Sequence, residues 1–324
     1  MGRHHVRIYH QLPDAQLVGV VDTDLARAEA IAKEFGTKAY PSIEPIIDQV
    51  RAVSVAVPTM AHVEVARPLL QRGLAVLIEK PLAPDSAAAR SLREEASRSG
   101  ALLQVGHTER FNPVVRAMSK MRVAPRFIET HRISPFTFRS ADIGVVMDMM
   151  IHDIDIVLHL VRSRPVHVHA IGVRVLAQHE DVANARVTFE DGCVANLTAS
   201  RLALKTERKI RVFSEEAYLS LDYQKKSGIA ITKDANLDLL KLAREKKASD
   251  LSQLAGVDFA GMVKVEPLVV DDVEPLRAEL QSFLNAIRTG TPPEVTADDG
   301  VAAVELAEQI VASVKEHQWE LPPG

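Results

Sequence analysis

The chain has 324 residues, of which 47% are hydrophobic and 25% charged, and this length and composition predict a globular protein with two domains. Its formal net charge of −4 at pH 7 argues against nucleic acid or an anionic membrane surface as a partner. The single cysteine, Cys193, excludes an intrachain disulfide, and no apolar run approaches the ~20 residues of a membrane span, so we predict a cytoplasmic protein.

Short apolar runs alternate with amphipathic segments from Leu17 to Val105. Runs of the first kind are typical of buried parallel strands, and segments of the second kind are typical of helices. The predicted strands are 17–21, 53–57, 75–78 and 102–105, and the predicted helices are 24–35, 61–72 and 84–99. Strands that alternate with helices indicate βαβ units, so we predict an α/β protein with a Rossmann-type parallel sheet in residues 1–107.

An acidic residue, Asp22, ends the first predicted strand. In a dinucleotide-binding fold, an acidic residue about 20 positions after the glycine-rich turn binds the adenosine ribose and favours NAD. Gly2 lies where the last glycine of that turn would fall, but the strand and the two glycines before it have no counterpart. We therefore predict that a central strand is absent, which exposes apolar surface and weakens pyrophosphate binding. The alternative for Asp22 is a solvated helix N-cap.

The predicted strand at 75–78 is followed by Glu79 and Lys80, and Pro81 then stops it. Ligands bind beyond the carboxyl ends of the strands in an open α/β sheet, so Lys80 lies where a functional residue is expected. The alternative is a solvated Glu-Lys pair that closes a strand.

The segment 145–161 is apolar almost all round, which predicts a buried helix. Spacings of four, three and four residues place four ionisable side chains on one face of it: Asp148, His152, Asp155 and His159. Because an unpaired buried charge is costly, this face must turn toward a cavity, a partner charge or a metal ion. Three interpretations stay open, namely structural Asp–His pairs, a metal site and part of a dehydrogenase site.

After about Asn112 the pattern changes to β-rich segments. The predicted strands include 166–170, 185–189, 194–198 and 209–213, with a hairpin turn signal at 190–192. We predict a second, α+β domain in residues 108–324, with a mostly antiparallel sheet backed by the 145–161 helix. Further helices are predicted at 274–288 and 297–317, and a short one within 233–265.

Three stretches, taken together and in order, resemble the Gfo/Idh/MocA oxidoreductases: 57–62 (VPTMAH), 79–81 (EKP) and 148–155 (DMMIHDID). The resemblance runs from Gly2 to about Trp319, and residues 106–113 (GHTERFNP) are most similar to members that act on sugar nucleotides. It implies a dehydrogenase for a ring hydroxyl of a sugar or sugar nucleotide, for example the 3-hydroxyl of UDP-N-acetylglucosamine. It also implies NAD, with NADP less favoured, no metal, and a homodimer or homotetramer.

The resemblance also implies roles for individual residues. Lys80 would be the catalytic lysine, and Asp148 and His152 would complete a triad with it. The predicted cofactor-binding residues are Gly2, Asp22, Pro58, Thr59, His62, Glu79 and Lys80. His152, with a reference pKa of ~6.5, can accept the hydroxyl proton near neutrality, and Lys80 can stabilise the developing alkoxide. Which of the two is the formal base stays open.

Candidate substrate residues follow from motif context and charge. Asn112 belongs to the stretch at 106–113, and Arg132, Arg201 and Lys205 could meet a substrate phosphate, with solvated strand charges as the alternative. Three alternatives for the protein as a whole stay open: a free polyol or inositol dehydrogenase, a ligand-sensing protein on the same fold, and an inactive chain.

Overall fold

The computed structural model describes residues 1–121, 123–137, 143–233 and 263–317. The helices are α1 (Gly2–Gln11), α2 (Leu25–Phe35), α3 (His62–Gln71), α4 (Ser86–Ser99), α5 (Pro113–Lys120), α6 (Ile151–Val161), α7 (Pro275–Thr289) and α8 (Ala297–Glu316). The strands are β1 (Gly19–Val21), β2 (Lys38–Tyr40), β3 (Ala52–Val55), β4 (Ala75–Glu79), β5 (Leu103–Gly106), β6 (Phe127–Ile133), β7 (Pro165–Val173), β8 (Val182–Phe189), β9 (Val194–Ser200), β10 (Glu207–Phe213), β11 (Ala217–Asp222), β12 (Ser227–Lys233) and β13 (Val263–Pro267).

The N-terminal part contains five short parallel strands in two sheets. β1 pairs with β2, and β3, β4 and β5 form the second sheet in that order. β4 is buried over its whole length, as its continuous apolar sequence predicts for a parallel strand. β1 and β3 belong to different sheets among the described residues, and both strands are largely half-buried or exposed, in line with the predicted gap in the parallel sheet.

The second part of the chain forms one eight-stranded sheet, which confirms the predicted mostly antiparallel architecture. Its strand order is β13-β12-β11-β10-β6-β9-β8-β7, and β6 and β9 are its one parallel pair among the described strands. Alternate residues of β9 are buried, namely Ala195, Leu197 and Ala199, because one face of the sheet packs against helices. α6 and α8 cover that face.

The predicted buried helix at 145–161 is present, but its first turn is wider than an α-helix. Residues Val146–Met150 form a π-helical turn, and α6 follows directly from Ile151. Asp153 and Asp155 are buried together with the apolar side chains of α6. A π turn changes the angular position of the residues around it, so a face drawn from α-helical spacing alone does not describe this segment.

The last two helices return to the N-terminal part. α7 places Leu276, Leu280 and Phe283 in one cluster with Ile8 of α1 and Leu77 of β4, and α8 contacts α4. The predicted domain boundary between residues 107 and 108 stays a prediction, and these helices pack across it. The short helix predicted within 233–265 lies mostly outside the described residues, and its last three positions belong to β13.

Across the described ranges, no helix has both the length and the apolar composition that a membrane span needs.

Candidate active site

A cleft of about 540 Å³ opens where the two parts of the chain meet. It is lined by residues from the carboxyl ends of β4 and β5, from the inner face of the large sheet, from the π turn and from the first residues of α1 and α7. A volume of this size is usual for a small-molecule site. The cleft also lies beyond the carboxyl ends of parallel strands, where ligands bind in open α/β sheets.

Lys80 lies on the wall of this cleft and points toward the π turn. Its Nζ donates a hydrogen bond of 2.7 Å to the backbone oxygen of Asp148 and lies 3.4 Å from Asp148 Oδ1. Burial lowers the pKa of Lys80, although the charges of Asp148 and Glu79 act in the opposite direction. An amine with a lowered pKa can exchange a proton closer to neutral pH than an exposed lysine can.

His152 lines the same cleft, four residues after Asp148. Burial lowers the pKa of His152 well below its usual value, and the positive charges of Lys80 and Arg132 lower it further. The imidazole is therefore neutral near pH 7. A group with so low a pKa accepts a proton less readily than an amine does, so the two pKa shifts favour Lys80 over His152 as a proton acceptor, and the identity of the base stays a prediction.

The other two ionisable residues of the predicted face are held by one arginine instead. Arg110 donates to both carboxylate oxygens of Asp155, at 2.7 and 2.8 Å, and lies 2.7 Å from His159 Nδ1. Asp155 and His159 therefore have partners within the protein, and these contacts hold α6 against the segment that contains Arg110. Among the described residues, no group of three or more His, Cys, Asp or Glu side chains is arranged to hold a metal ion.

Glu79 is buried beside Lys80 and has a partner that the sequence analysis missed. Glu79 Oε1 lies 2.8 Å from His5 Nε2, in the first turn of α1, and both side chains are almost fully buried. The pair joins α1 to the residue that precedes the lysine. Nothing in the sequence pattern relates two residues 74 positions apart, so only the packing of α1 on the sheet could reveal it.

Gly2 begins α1 at the edge of the cleft. The N-cap, Met1, lines the cleft and makes no side-chain hydrogen bond to the helix, so the first N–H groups of α1 are not capped by a side chain. A Cβ on Gly2 would lie 4.0 Å from Ala56 Cβ, at the end of β3, which shows how closely the helix approaches this strand. A helix N-terminus in this place suits a phosphate group, so these residues fit a dinucleotide.

Asp22 follows β1 and is half-buried. Its Oδ1 accepts from the backbone N–H of Asp24 at 2.9 Å, and its Oδ2 lies 3.4 Å from Arg27 Nη1. The N-cap of α2 is Asp24, which accepts from the backbone N–H of Arg27, so the interpretation of Asp22 as a helix cap is wrong. A carboxylate at the end of this strand suits the ribose hydroxyls of a dinucleotide.

The predicted cofactor residues after β3 lie in a short turn. Pro58 precedes the 3-10 turn Thr59–Ala61, and His62 is buried behind it. His62 Nε2 lies 3.0 Å from the backbone oxygen of Val57, and His62 Nδ1 lies 3.0 Å from that of Pro81, which follows a cis Lys80–Pro81 bond. His62 therefore joins the segments after β3 and β4, and its direct contact with a cofactor stays a prediction.

Asn112 lines the cleft and also starts a helix. Its Oδ1 accepts from the backbone N–H of Val114 at 3.2 Å, which caps α5, and its Nδ2 donates to Glu109 Oε2 at 3.2 Å. These bonds hold the amide in place, and a substrate contact of Asn112 stays a prediction.

Arg132 and Arg201 line the cleft but are almost fully buried against carboxylates. Arg132 donates to both oxygens of Asp153, at 2.9 and 2.8 Å, and to Glu109 at 3.0 Å. Arg201 donates to Asp181 at 2.7 Å and to the backbone oxygen of residue 143 at 2.9 Å. Both guanidinium groups already have acceptors, so their predicted phosphate contacts stay predictions. Lys205 is exposed between β9 and β10.

Comparisons with known proteins agree with this geometry. The family model described as an oxidoreductase family with an NAD-binding Rossmann fold (Gfo/Idh/MocA) matches residues 1–107, and the model of the family's C-terminal domain matches residues 119–220. The chain is 34% identical to UDP-N-acetylglucosamine 3-dehydrogenase from Acidithiobacillus ferrooxidans over 93% of its own length and 89% of that protein. The chain belongs to the Gfo/Idh/MocA family.

A solved structure of the same enzyme and one further relative also cover almost the whole chain. A solved structure of UDP-N-acetylglucosamine 3-dehydrogenase from A. ferrooxidans superposes with a TM-score of 0.85 at 32% identity, covering 97% of this chain and 94% of that one. Inositol 2-dehydrogenase from Rhizobium meliloti is 26% identical, over 98% of this chain and 94% of that protein. The protein is thus an enzyme, a dehydrogenase that uses a nicotinamide cofactor.

Proposed function

We propose that the protein is an NAD-dependent dehydrogenase that oxidises a ring hydroxyl of a sugar nucleotide, such as the 3-hydroxyl of UDP-N-acetylglucosamine. The observation that carries this proposal is the convergence of Lys80, Asp148 and His152 on one cleft. There the lysine amine is held by a main-chain oxygen at 2.7 Å, and burial lowers its pKa.

The oxidation removes a hydride from carbon and a proton from oxygen. A nicotinamide cofactor, held by the N-terminus of α1 and by Asp22, would supply the hydride acceptor. Neutral Lys80 takes the hydroxyl proton on Nζ, and the ammonium that results is stabilised by the backbone oxygen and the carboxylate of Asp148. His152, which is neutral, orients the same hydroxyl through a hydrogen bond.

The choice of a sugar nucleotide is supported by the A. ferrooxidans enzyme at 34% identity. The inositol 2-dehydrogenase relative supports a free polyol as the second candidate. A ligand-sensing protein has no need of a proton acceptor, so the Lys80 geometry favours an enzyme over that alternative.

Turnover measurements test the function directly. The purified chain is assayed with UDP-N-acetylglucosamine and with myo-inositol, and we expect a higher kcat/KM for the sugar nucleotide. Lys80→Ala should lower kcat by about 10²–10⁴-fold, because the proton acceptor is lost. NADH affinity, measured by fluorescence titration, should fall far less than kcat, because Lys80 is only one of several predicted cofactor contacts.

The control for this experiment is Lys33→Ala, which removes an exposed lysine of α2 and should change neither quantity. If Lys80→Ala reduced cofactor affinity as much as turnover, Lys80 would have a structural role and the site assignment would be wrong. A preference for myo-inositol would favour the polyol candidate.

We further propose NAD rather than NADP as the cofactor. The carboxylate of Asp22 repels a 2′-phosphate, although Arg27 lies 3.4 Å from it. NADH should therefore bind more tightly than NADPH in fluorescence titrations, and Asp22→Asn should narrow the difference. Asp24→Asn is the matched control, since Asp24 caps α2 and its loss should affect both cofactors alike. Tighter binding of NADPH by the unmodified chain would contradict the proposal.

Assembly and location complete the proposal. We place the protein in the cytoplasm, supported by its single, buried cysteine, Cys193. A homodimer or homotetramer is supported by the aromatic side chains of Phe127, Phe213 and Tyr218 on the large sheet. They contact one another but stay half-buried, so a second copy of the chain could cover them.

A further inference from the structure

Two arginines lie side by side on neighbouring strands of the cleft wall. Arg132 of β6 pairs with Arg208 of β10 in the antiparallel register, and both line the cleft. They differ in burial, because the side chain of Arg132 is 4% exposed and that of Arg208 is 47% exposed. Arg208 therefore presents its guanidinium group to the cleft.

Arg208 also differs from the other cleft arginines in its partners. Its guanidinium group makes no hydrogen bond to any residue that the structure describes, and Glu109 Oε1 lies 3.7 Å away, beyond hydrogen-bond distance. Burial acts to raise the pKa of Glu109, but the charges of Arg132 and Arg208 hold it below its usual value, so Glu109 is ionised. Its main partner is Arg132, at 3.0 Å.

The position of Arg208 on its strand is unusual for an arginine. Side chains alternate along a strand, and Arg208 has the parity of Ile210 and Val212, which are buried on the inner face. A charged side chain that faces the inner side of a sheet usually has a charged partner or a ligand there, because bulk water does not reach it freely. The nearby ion pair with Glu109 is too long and too exposed to supply one, since such pairs contribute little stability.

The same cleft is lined by the proposed catalytic residues. Lys80 and His152 line it together with Arg208, and the positive charge of Arg208 is one of those that lower the pKa of His152. A molecule that reaches from His152 to Arg208 therefore fits within one continuous site.

We propose that Arg208 binds the diphosphate of a nucleotide-linked sugar and thereby selects such sugars over free ones. This inference rests on the proposed function and names the residue that sets its substrate class. The planar guanidinium group can donate two parallel hydrogen bonds to phosphate oxygens, which a free polyol lacks. Lys80 and His152 then meet the sugar ring, while Arg132, which donates to Glu109 at 3.0 Å, offsets the negative charge of Glu109 beside the phosphates.

The test compares two substrates in one variant. Arg208→Ala should lower kcat/KM for UDP-N-acetylglucosamine by about 10–100-fold more than it lowers kcat/KM for free N-acetylglucosamine, because it removes a charge-assisted contact to the diphosphate alone. Most of this loss should be a rise in KM. Arg208→Lys should recover only part of it, since an ammonium keeps the charge but not the paired donors.

A matched control lies on the same strand. Arg211 is as exposed as Arg208, at 47%, and lies 3.5 Å from Glu129, but it has the opposite parity and so belongs to the other face of the sheet. Arg211→Ala should leave the ratio of the two kcat/KM values unchanged. An equal effect of both variants would show that Arg208 acts through general charge or folding, and would overturn the proposal.

A binding measurement separates this inference from the proposed function. UDP is titrated calorimetrically into the NADH-saturated protein, so that the cofactor site is closed to it. Micromolar binding that weakens with salt and is lost in Arg208→Ala supports the diphosphate site, whatever sugar the enzyme oxidises. Absence of UDP binding, or equal binding by the variant, overturns it. Turnover of myo-inositol alone would refute only the proposed function.

Discussion

At the residue scale, Lys80 and His152 differ in how the neighbouring charges act on their pKa values. Burial lowers both pKa values, but the negative charge of Asp148 opposes the shift at Lys80, whereas Lys80 and Arg132 add to the shift at His152. His152 is therefore neutral throughout the neutral range. A pH dependence of oxidation in that range must therefore come from another group. We expect this group to be Lys80, because burial lowers its pKa toward that range.

We expect kcat for the oxidation to rise with pH through one ionisation, below the usual lysine pKa of ~10.4, as the Lys80 amine loses its proton. Asp148→Asn removes a negative charge that raises the pKa of Lys80. The inflection in the pH–rate profile should therefore move to lower pH. The hydrogen bond to the backbone oxygen of Asp148 remains, so kcat at high pH should fall less than in Lys80→Ala.

Steady-state kinetics between pH 5.5 and pH 10 measure this profile. Lys80→Ala serves as the control, because it should lack the inflection altogether. A shift to higher pH in Asp148→Asn would show that the titrating group is not Lys80.

At the element scale, the π turn and α6 work as a pair. The π turn brings the main chain of Asp148 to Lys80, while α6 places Asp153 against Arg132 and Asp155 against Arg110. One main-chain hydrogen bond and two ion pairs thus anchor this segment to three other parts of the chain. The segment tolerates its high content of ionisable residues because each buried carboxylate has an arginine partner. Removing one member of such a pair would leave a buried charge without a partner, which is strongly destabilising.

α7 carries the most unusual buried acid of the described residues, Glu279. Its side chain is fully buried, and its Oε2 accepts a hydrogen bond from Thr108 Oγ1 at 2.8 Å. Burial raises the pKa of Glu279 well above the usual range, and the nearby charge of Glu79 raises it further. The folded protein therefore keeps a proton on Glu279 that the unfolded chain releases.

This difference predicts a pH-dependent effect of Glu279→Gln on the free energy of unfolding. Below the carboxyl pKa of the unfolded chain, about 4.3, both states are protonated and the parent protein bears no penalty. Above it, the unfolded chain is ionised and the folded one is not, so the parent loses stability relative to the variant as pH rises. The difference should grow by about 1.4 kcal/mol for each pH unit until the folded carboxyl ionises.

Denaturant unfolding of both proteins at pH 5, 6 and 7 measures the trend, which does not depend on the absolute cost of the amide. Glu316→Gln, at an exposed position of α8, should show no such trend. A constant difference between Glu279→Gln and the parent would mean that Glu279 is ionised in the folded state.

At the scale of the whole molecule, the cleft exists because the chain crosses between its two parts more than once. β4 and β5 supply the lysine side of it, the large sheet supplies the arginines, and α7 returns from the end of the chain to close it near residues 274–276. The cluster of Leu276, Leu280 and Phe283 with Leu77 holds α7 in that place. The cleft is therefore shared by both parts.

Much of this architecture could be predicted from local patterns. The parallel strands, the mostly antiparallel sheet and the buried helix follow from hydrophobic periodicity, which neighbouring residues determine. Lys80 was predicted from its place after a buried strand, and Asp148 and His152 from their spacing and the family motif. The sequence also contains a pattern that indicates the orientation of Arg208: it has the same parity as Ile210 on β10, so its side chain is expected to face inward.

Local patterns along the chain were enough to predict the class of fold, the family and the candidate residues Lys80, Asp148 and His152, because the order of strands, the spacing along a helix and short motifs are local properties. Which charges find partners depends instead on the packing of distant elements. His5 with Glu79 and Arg110 with Asp155 are joined across 74 and 45 positions, and Arg208 is set apart from Arg132 by the carboxylates around them. Such pairings depend on how elements pack, and packing brings together residues that no local pattern relates.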